Sequence, residues 1–249
     1  MKDFEHSEPM GAVHSFESLA AVYGEGLRCA VFLSGCPLRC VFCHNPDTWQ
    51  MGEKTVSPQS LVRKILRFRP YFGKNGGVTF SGGEPLLQAS FLCAVAKRLQ
   101  TEHISFTLDT SGAVFLSEDV RYLLQNCSQV LLDLKFWDQA SYRQYTGMDL
   151  DFPLKTLSFL ESIEKETVIR TVVIPGINDS EEAMDCYLAL LKGKKCVKRY
   201  ELLSFHTMGF FKYENLGIEN TLSETPPLSQ ERRNALQAYV DRKRLMLIN

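Results

Sequence analysis

Short apolar runs alternate along this chain with stretches in which apolar residues recur every three or four positions. The runs are "CAVFLSG" (29 to 35), "GVTFSGG" (77 to 83), "ISFTLDT" (104 to 110), "VLLDLKF" (130 to 136), "VIRTVVIPG" (168 to 176) and "RYELLSF" (199 to 205). Each is rich in Val, Ile, Leu or Phe, as buried strands are. Helical spacing fills the intervals. Its clearest case opens at Ser57-Pro58, a cap residue followed by proline at the first helical position, and carries Leu61, Ile65 and Leu66 on one face before stopping ahead of Pro70. Others cover about 88 to 100, 117 to 126, 138 to 146, 153 to 164 and 180 to 192, and a last helix runs from near Ser229 to about Arg244. Strand followed by helix predicts a parallel sheet with right-handed crossovers. About six such units fall short of the eight that close a full barrel. The expected fold is therefore α/β, a partial, open-sided (β/α)6 TIM-like barrel of parallel strands. It spans residues 28 to 205 of a single domain covering 1 to 249, with 219 to 229 as a surface loop.

Polar residues sit at the ends of these runs. Cys36, Cys40 and Cys43 follow the first, and Ser81-Gly82-Gly83-Glu84 ends the second. Asp109-Thr110-Ser111-Gly112 ends the third, Asp133 and Lys135 lie on the fourth, Arg170 and Pro175-Gly176 on the fifth, and the sixth leads to His206. Taken singly, each has an ordinary structural explanation: a turn cap, an ion pair, a loop histidine. Parallel α/β folds, however, carry their ligands at the carboxyl ends of the strands. Six strand ends pointing chemistry at one mouth is a pattern that the separate explanations do not account for.

Composition narrows what that chemistry is. With 28 Lys and Arg against 29 Asp and Glu, the formal charge of -1 gives no reason to expect a nucleic acid or a membrane surface as partner. The amino-terminal stretch lacks a basic region followed by an apolar run, so the chain is expected in the cytoplasm, where thiols stay reduced. Of its eight cysteines, Cys29, Cys93, Cys127, Cys186 and Cys196 stand alone in apolar or helical contexts and read as buried small hydrophobes. The other three are crowded into "GCPLRCVFC". Zinc would need a fourth ligand; His44 adjoins Cys43 too closely, and Cys29 belongs to the strand before. A 4Fe-4S cluster held by three thiolates leaves one iron open to a substrate. Spacing alone leaves both readings standing. The Gly-Gly-Glu turn at the same mouth favours iron-sulfur.

The C-x3-C-x2-C spacing, followed after the next strand by "SGGEPLL", resembles the radical S-adenosylmethionine superfamily. "HSFES" (14 to 18), "CHNPDTW" (43 to 49), "LDTSG" (108 to 112), "LLDLK" (131 to 135), "VIPGIND" (173 to 179) and "LLSFH" (202 to 206) resemble more closely the activases of glycyl radical enzymes, of the pyruvate formate-lyase type. Related activases often insert further cysteine-rich segments; residues 44 to 81 contain no cysteine, which favours the compact type. The resemblance implies an oxidoreductase in which Cys36, Cys40 and Cys43 ligate a 4Fe-4S cluster while S-adenosylmethionine chelates the fourth iron. Reductive cleavage would yield a 5'-deoxyadenosyl radical that takes hydrogen from a backbone glycine of a partner protein. It further implies that Ser81, Gly82, Gly83 and Glu84 approach the cofactor's amine, that Lys135 and Arg170 meet its carboxylate, and that Asp109 and Asp133 meet its amine or ribose. Phe42, His44 and His206 complete the cofactor site, and Asp109, Thr110 and Asp133 match a monovalent cation site found in some members. The alternatives are an activase of another glycyl radical enzyme and, from a different class, a non-catalytic zinc-binding module.

Partners follow from the same resemblance: the glycyl radical enzyme itself, and reduced flavodoxin or ferredoxin as electron donor. The aromatic stretch 204 to 217 suits either partner binding or a flap on the chain's own core. The basic run "KGKKCVKR" (192 to 199) reads as a solvated helix end in preference to a docking site for an acidic donor. One departure is plain. The family usually has Asp-Gly-Pro-Gly-Ile-Arg before its first strand, and this chain has Tyr23-Gly24-Glu25-Gly26-Leu27-Arg28, which keeps both glycines and the arginine of the turn.

Overall fold

The computed structural model describes residues 8 to 20 and 23 to 248. In chain order the elements are β1 (Gly11–Ala20), β2 (Arg28–Leu33), β3 (Thr55–Val56), α1 (Pro58–Leu66), β4 (Gly77–Gly82), α2 (Ala89–Thr101), β5 (Ser105–Thr110) and α3 (Glu118–Asn126). There follow β6 (Gln129–Asp133), α4 (Gln139–Thr146), α5 (Asp151–Ser162), β7 (Thr167–Val173), α6 (Glu181–Leu191), β8 (Val197–Ser204), α7 (Phe210–Leu216) and α8 (Gln230–Ile248). All strands join one open sheet in the order β3-β1-β2-β4-β5-β6-β7-β8. The six expected strands are β2 and β4 to β8, and every neighbouring pair among them is parallel. The expectation of parallel strands alone needs correcting, since β1 and β3 add an antiparallel edge. Their sequence explains the omission: β1 contains His14, Ser15, Glu17 and Ser18 and is half exposed, so no apolar run marks it. Likewise the stretch 204 to 217 contains a helix, α7, and Cys186 is exposed, against the expectation that all five isolated cysteines are buried.

Capping follows the sequence. Ser57 Oγ accepts from Ser60 N at 3.2 Å, and Ser117, Asp138 and Ser180 do the same for Val120, Ser141 and Ala183, each worth about 1 kcal/mol. The amino end of the barrel is plugged by Arg28, which is 2% exposed and donates to Thr79 Oγ1 and to the carbonyls of Glu25, Asn75 and Val78. Gly26, at φ 73°, lies against the Asn75–Gly76 backbone, where a side chain would collide. The departure in this turn therefore leaves its glycine requirement and its arginine in place. At the opposite edge β8 has no strand beyond it, and α8 supplies what a strand would. Gln237 accepts from Leu202 N and donates to Tyr200 O, and Arg233 donates to Leu202 O. With this edge capped by a helix and not by a further strand, the sheet curls without closing.

Candidate active site at the carboxyl ends of the strands

The register of the parallel strands decides which polar residues meet. Asp109 on β5 lies opposite Leu131 on β6, and Asp133, two residues on, shares that face and lies opposite Arg170 on β7. All three side chains thus enter the barrel's interior, whereas Val130, Leu132 and Ile169 pack in the core. The interior is a cavity of about 280 Å³, and Cys36, Cys40 and Cys43 line it together with Asp109, Asp133, Lys135 and Arg170.

Backbone hydrogen bonds build the cysteine loop before any ligand is considered. Gly35 N and Cys36 N donate to Thr48 O and Trp49 O, closing residues 35 to 49 into a loop. Arg39 N and Val41 N donate to Thr146 O and Tyr145 O at the end of α4, and the Arg39 guanidinium donates to the carbonyls of Cys36 and Leu38. Burial pushes the Cys36 thiol up to about 12 and raises Cys40 and Cys43 as well, although the Asn45 backbone and the Trp49 side chain favour the Cys43 thiolate. Buried thiols of this kind ionise when a metal takes the proton's place. Among the described residues no three His, Cys, Asp or Glu side chains form a single-ion site. Thiolates that each bind a different iron of one cluster need not converge on a point, so the donor set suits a cluster better than one zinc ion.

Beside the thiols lie two carboxylates and two cations. Arg170 forms an ion pair with Asp109 and donates Nε and Nη2 to Asp133 Oδ1 at 3.0 and 2.9 Å. Lys135 Nζ donates to Asp133 Oδ2 at 2.8 Å and lies over the Phe42 ring, and Ser81 Oγ donates to Asp109 Oδ2. Burial pushes the Asp109 carboxyl up, with Arg170 opposing. For Asp133 the two cations outweigh burial and hold it below the usual carboxylate range. Lys135 stays charged because Asp133 outweighs the cost of its burial. Arg170 is the cation that bridges Asp109 and Asp133 here, while the Thr110 hydroxyl turns away to Glu84.

Ser81, Gly82 and Gly83 line the cavity, but Glu84 is fully buried outside it. Its carboxylate accepts from Thr110 Oγ1 at 2.6 Å, Ser111 N at 2.8 Å, Ser111 Oγ, and Leu86 N at 3.0 Å. It ties the end of β4 to the end of β5 and so shapes the turn. The turn itself needs Gly83, where a side chain would run into the Gly35 carbonyl. Glu84→Ala strands four donors at once and is expected to cost about 2 to 4 kcal/mol, readable as a lower urea midpoint at unchanged slope.

The two histidines meet edge to face at 4.7 Å. Burial, His206 and Lys212 all push His44 down, and the buried Nδ1 of His206 has no partner among the described residues, an orphaned polar atom in the wall of a cavity. The fit to the expected cofactors is thus good: thiols, an unsatisfied polar atom, a close backbone turn and a charge cluster share one space. Sequence reasoning missed Tyr23, Trp49, Ser111 and Ser204 as lining residues. Tyr23 carried a signal, since it stands where the turn motif departs from its usual form; the others follow a lining position by one or by a loop's length and carried none.

The family profile described as a 4Fe-4S single cluster domain matches residues 22 to 148. Among solved structures, SuiB of Streptococcus suis bound to the precursor peptide SuiA superposes with a TM-score of 0.66 at 15% identity, over 86% of this chain and 46% of that one, a likeness of fold. The pyruvate formate-lyase-activating enzyme of Staphylococcus epidermidis is 35% identical over 93% of this chain and 95% of its own. That of Clostridium pasteurianum is 39% identical over 93% of this chain and 97% of its own. With the cysteine loop, the glycine turn and the strand-end charges in one cavity, and with relatives matched nearly end to end, the chain belongs to the pyruvate formate-lyase-activating enzymes, within the radical S-adenosylmethionine superfamily.

Proposed function

We propose that this chain is an activase that installs a glycyl radical in a partner protein, with pyruvate formate-lyase as the partner. The observation that carries the reading is the shared cavity of Cys36, Cys40 and Cys43 with Asp109, Asp133, Lys135 and Arg170. The cysteines would hold the 4Fe-4S cluster, and the open side of the sheet would admit a glycine-bearing loop. When bound, the cluster and S-adenosylmethionine supply a hydrogen-abstracting carbon radical. The chain's own contribution is placement and exclusion of water. Lys135 and Arg170 offer donors to a carboxylate, and the Ser81–Gly83 backbone approaches closely because its glycines have no side chains to hold a ligand off. Phe42 and His206 wall the remaining space. A reduced flavodoxin or ferredoxin would deliver the electron. The basic run 192 to 199 begins at the end of α6 and enters the amino end of β8, on the side of the sheet away from the cysteines, which favours its reading as a solvated helix end. No helix among the described residues is long and apolar enough to cross a membrane.

The test is electron paramagnetic resonance on a mixture of the anaerobically reconstituted, reduced chain, S-adenosylmethionine and pyruvate formate-lyase. A glycyl radical signal with stoichiometric 5'-deoxyadenosine is expected. A signal on a different glycyl radical enzyme with none on pyruvate formate-lyase would reassign the partner, and absence of cofactor cleavage would overturn the activity.

A further inference from the structure

Beyond the cavity, α7 makes four separate contacts with the loop that carries Cys43. The Lys212 ammonium donates to Asn45 Oδ1 at 2.7 Å and to Asp47 Oδ1 at 3.1 Å, and Asp47 also meets His14 Nε2 on β1 at 3.2 Å. The Tyr213 hydroxyl donates to the Cys43 carbonyl at 2.9 Å. The Tyr213 ring packs edge-on against Trp49 at 6.1 Å, and the Arg39 guanidinium covers Trp49 at 5.2 Å. Gly209, just ahead of the helix, abuts the His44 carbonyl so closely that a side chain there would collide with it. A seven-residue helix has little stability of its own, and its ion pair and its hydroxyl are directed at the cysteine loop.

We propose that α7 is a clamp on the cysteine loop, in which Lys212 and Tyr213 are positioning residues that set the reduction potential of the cluster held there. Two effects act in the same direction. A cation and a hydroxyl dipole aimed at this loop stabilise added negative charge nearby, so each raises the potential. Neither residue lines the cavity, so their influence passes through residues 43 to 49. The inference rests on the proposed cluster, and its test reads the cluster directly.

The experiment is a redox titration of the reconstituted protein, followed by electron paramagnetic resonance, with Lys212→Met, Lys212→Arg and Tyr213→Phe. Lys212→Met is expected to lower the potential by roughly 60 mV, a tenfold shift in the reduced-to-oxidised ratio for a one-electron couple. Tyr213→Phe keeps the ring packing and should lower it by a smaller amount, and Lys212→Arg should restore the parent value within a twofold ratio. A merely structural role would lower thermal stability and leave the potential unchanged. Equal potentials for all four proteins, each carrying its cluster, would overturn the clamp alone; a parent protein that takes up no cluster would overturn the activase reading instead.

Discussion

Replacement of Cys40 by alanine is expected to leave a folded chain without an iron-sulfur chromophore and without measurable cleavage of S-adenosylmethionine. Cys40 is 7% exposed, between Arg39 and Val41, whose amides are tied to Thr146 and Tyr145. The loop's backbone does not depend on the thiol, so circular dichroism should be unchanged and the stability loss of the unloaded protein small, about 1 kcal/mol. The cluster is another matter, because the sequence supplies three crowded thiols and no fourth. Removing one of three takes away a ligand that nothing nearby replaces. Cys127→Ala provides the contrast: Cys127 is buried at the end of α3 with its thiol donating to Leu124 O, away from the cavity, and should keep colour and activity. A brown, active Cys40→Ala protein would mean that Cys40 is not a ligand.

Arg170→Ala should be the most damaging single change to the polar network. It removes the cation shared by Asp109 and Asp133 and leaves two carboxylates in the barrel with only Lys135 to balance them, an uncompensated negative charge. Breaking a buried ion pair from one side costs about 3 to 5 kcal/mol, and substrate binding should be lost with it. The pH dependence separates this mechanism from simple loss of packing. In the parent protein Asp133 is held low, so its contribution is present above the ordinary aspartate range and disappears as pH falls through the depressed value. In the variant the orphaned carboxylates bind protons more tightly than in the unfolded chain, so stability is lost as pH rises. The gap between the two proteins in urea denaturation should therefore widen from about pH 4 to about pH 7, the range above the usual aspartate value. A gap that does not change with pH would point to lost packing alone.

Much of the sheet could be read from the sequence because buried parallel strands are nearly uninterrupted apolar runs. Arg170 was legible for the same reason, a lone cation inside "VIRTVVIPG". β1 escaped because an edge strand with one solvated face needs few apolar residues, and α7 escaped because its seven residues are too few to establish a helical period. Glu84 was legible as important, but its partners within the chain were not. The motif tells that a carboxylate follows two glycines; only the packing of β4 against β5 tells that Thr110, Ser111 and Leu86 satisfy it.

The way α8 covers β8 also bears on how the protein is made. Gln237 and Arg233 satisfy the edge of β8 from a segment translated after β8 itself. While the ribosome is still adding residues 230 to 244, an eight-residue edge that runs from Val197 to Ser204 has no covering partner of its own chain. A product truncated before Gln230 should thus pair this edge with other nascent chains and collect in inclusion bodies. The solubility of this edge thus depends on a helix synthesised after the strand it covers.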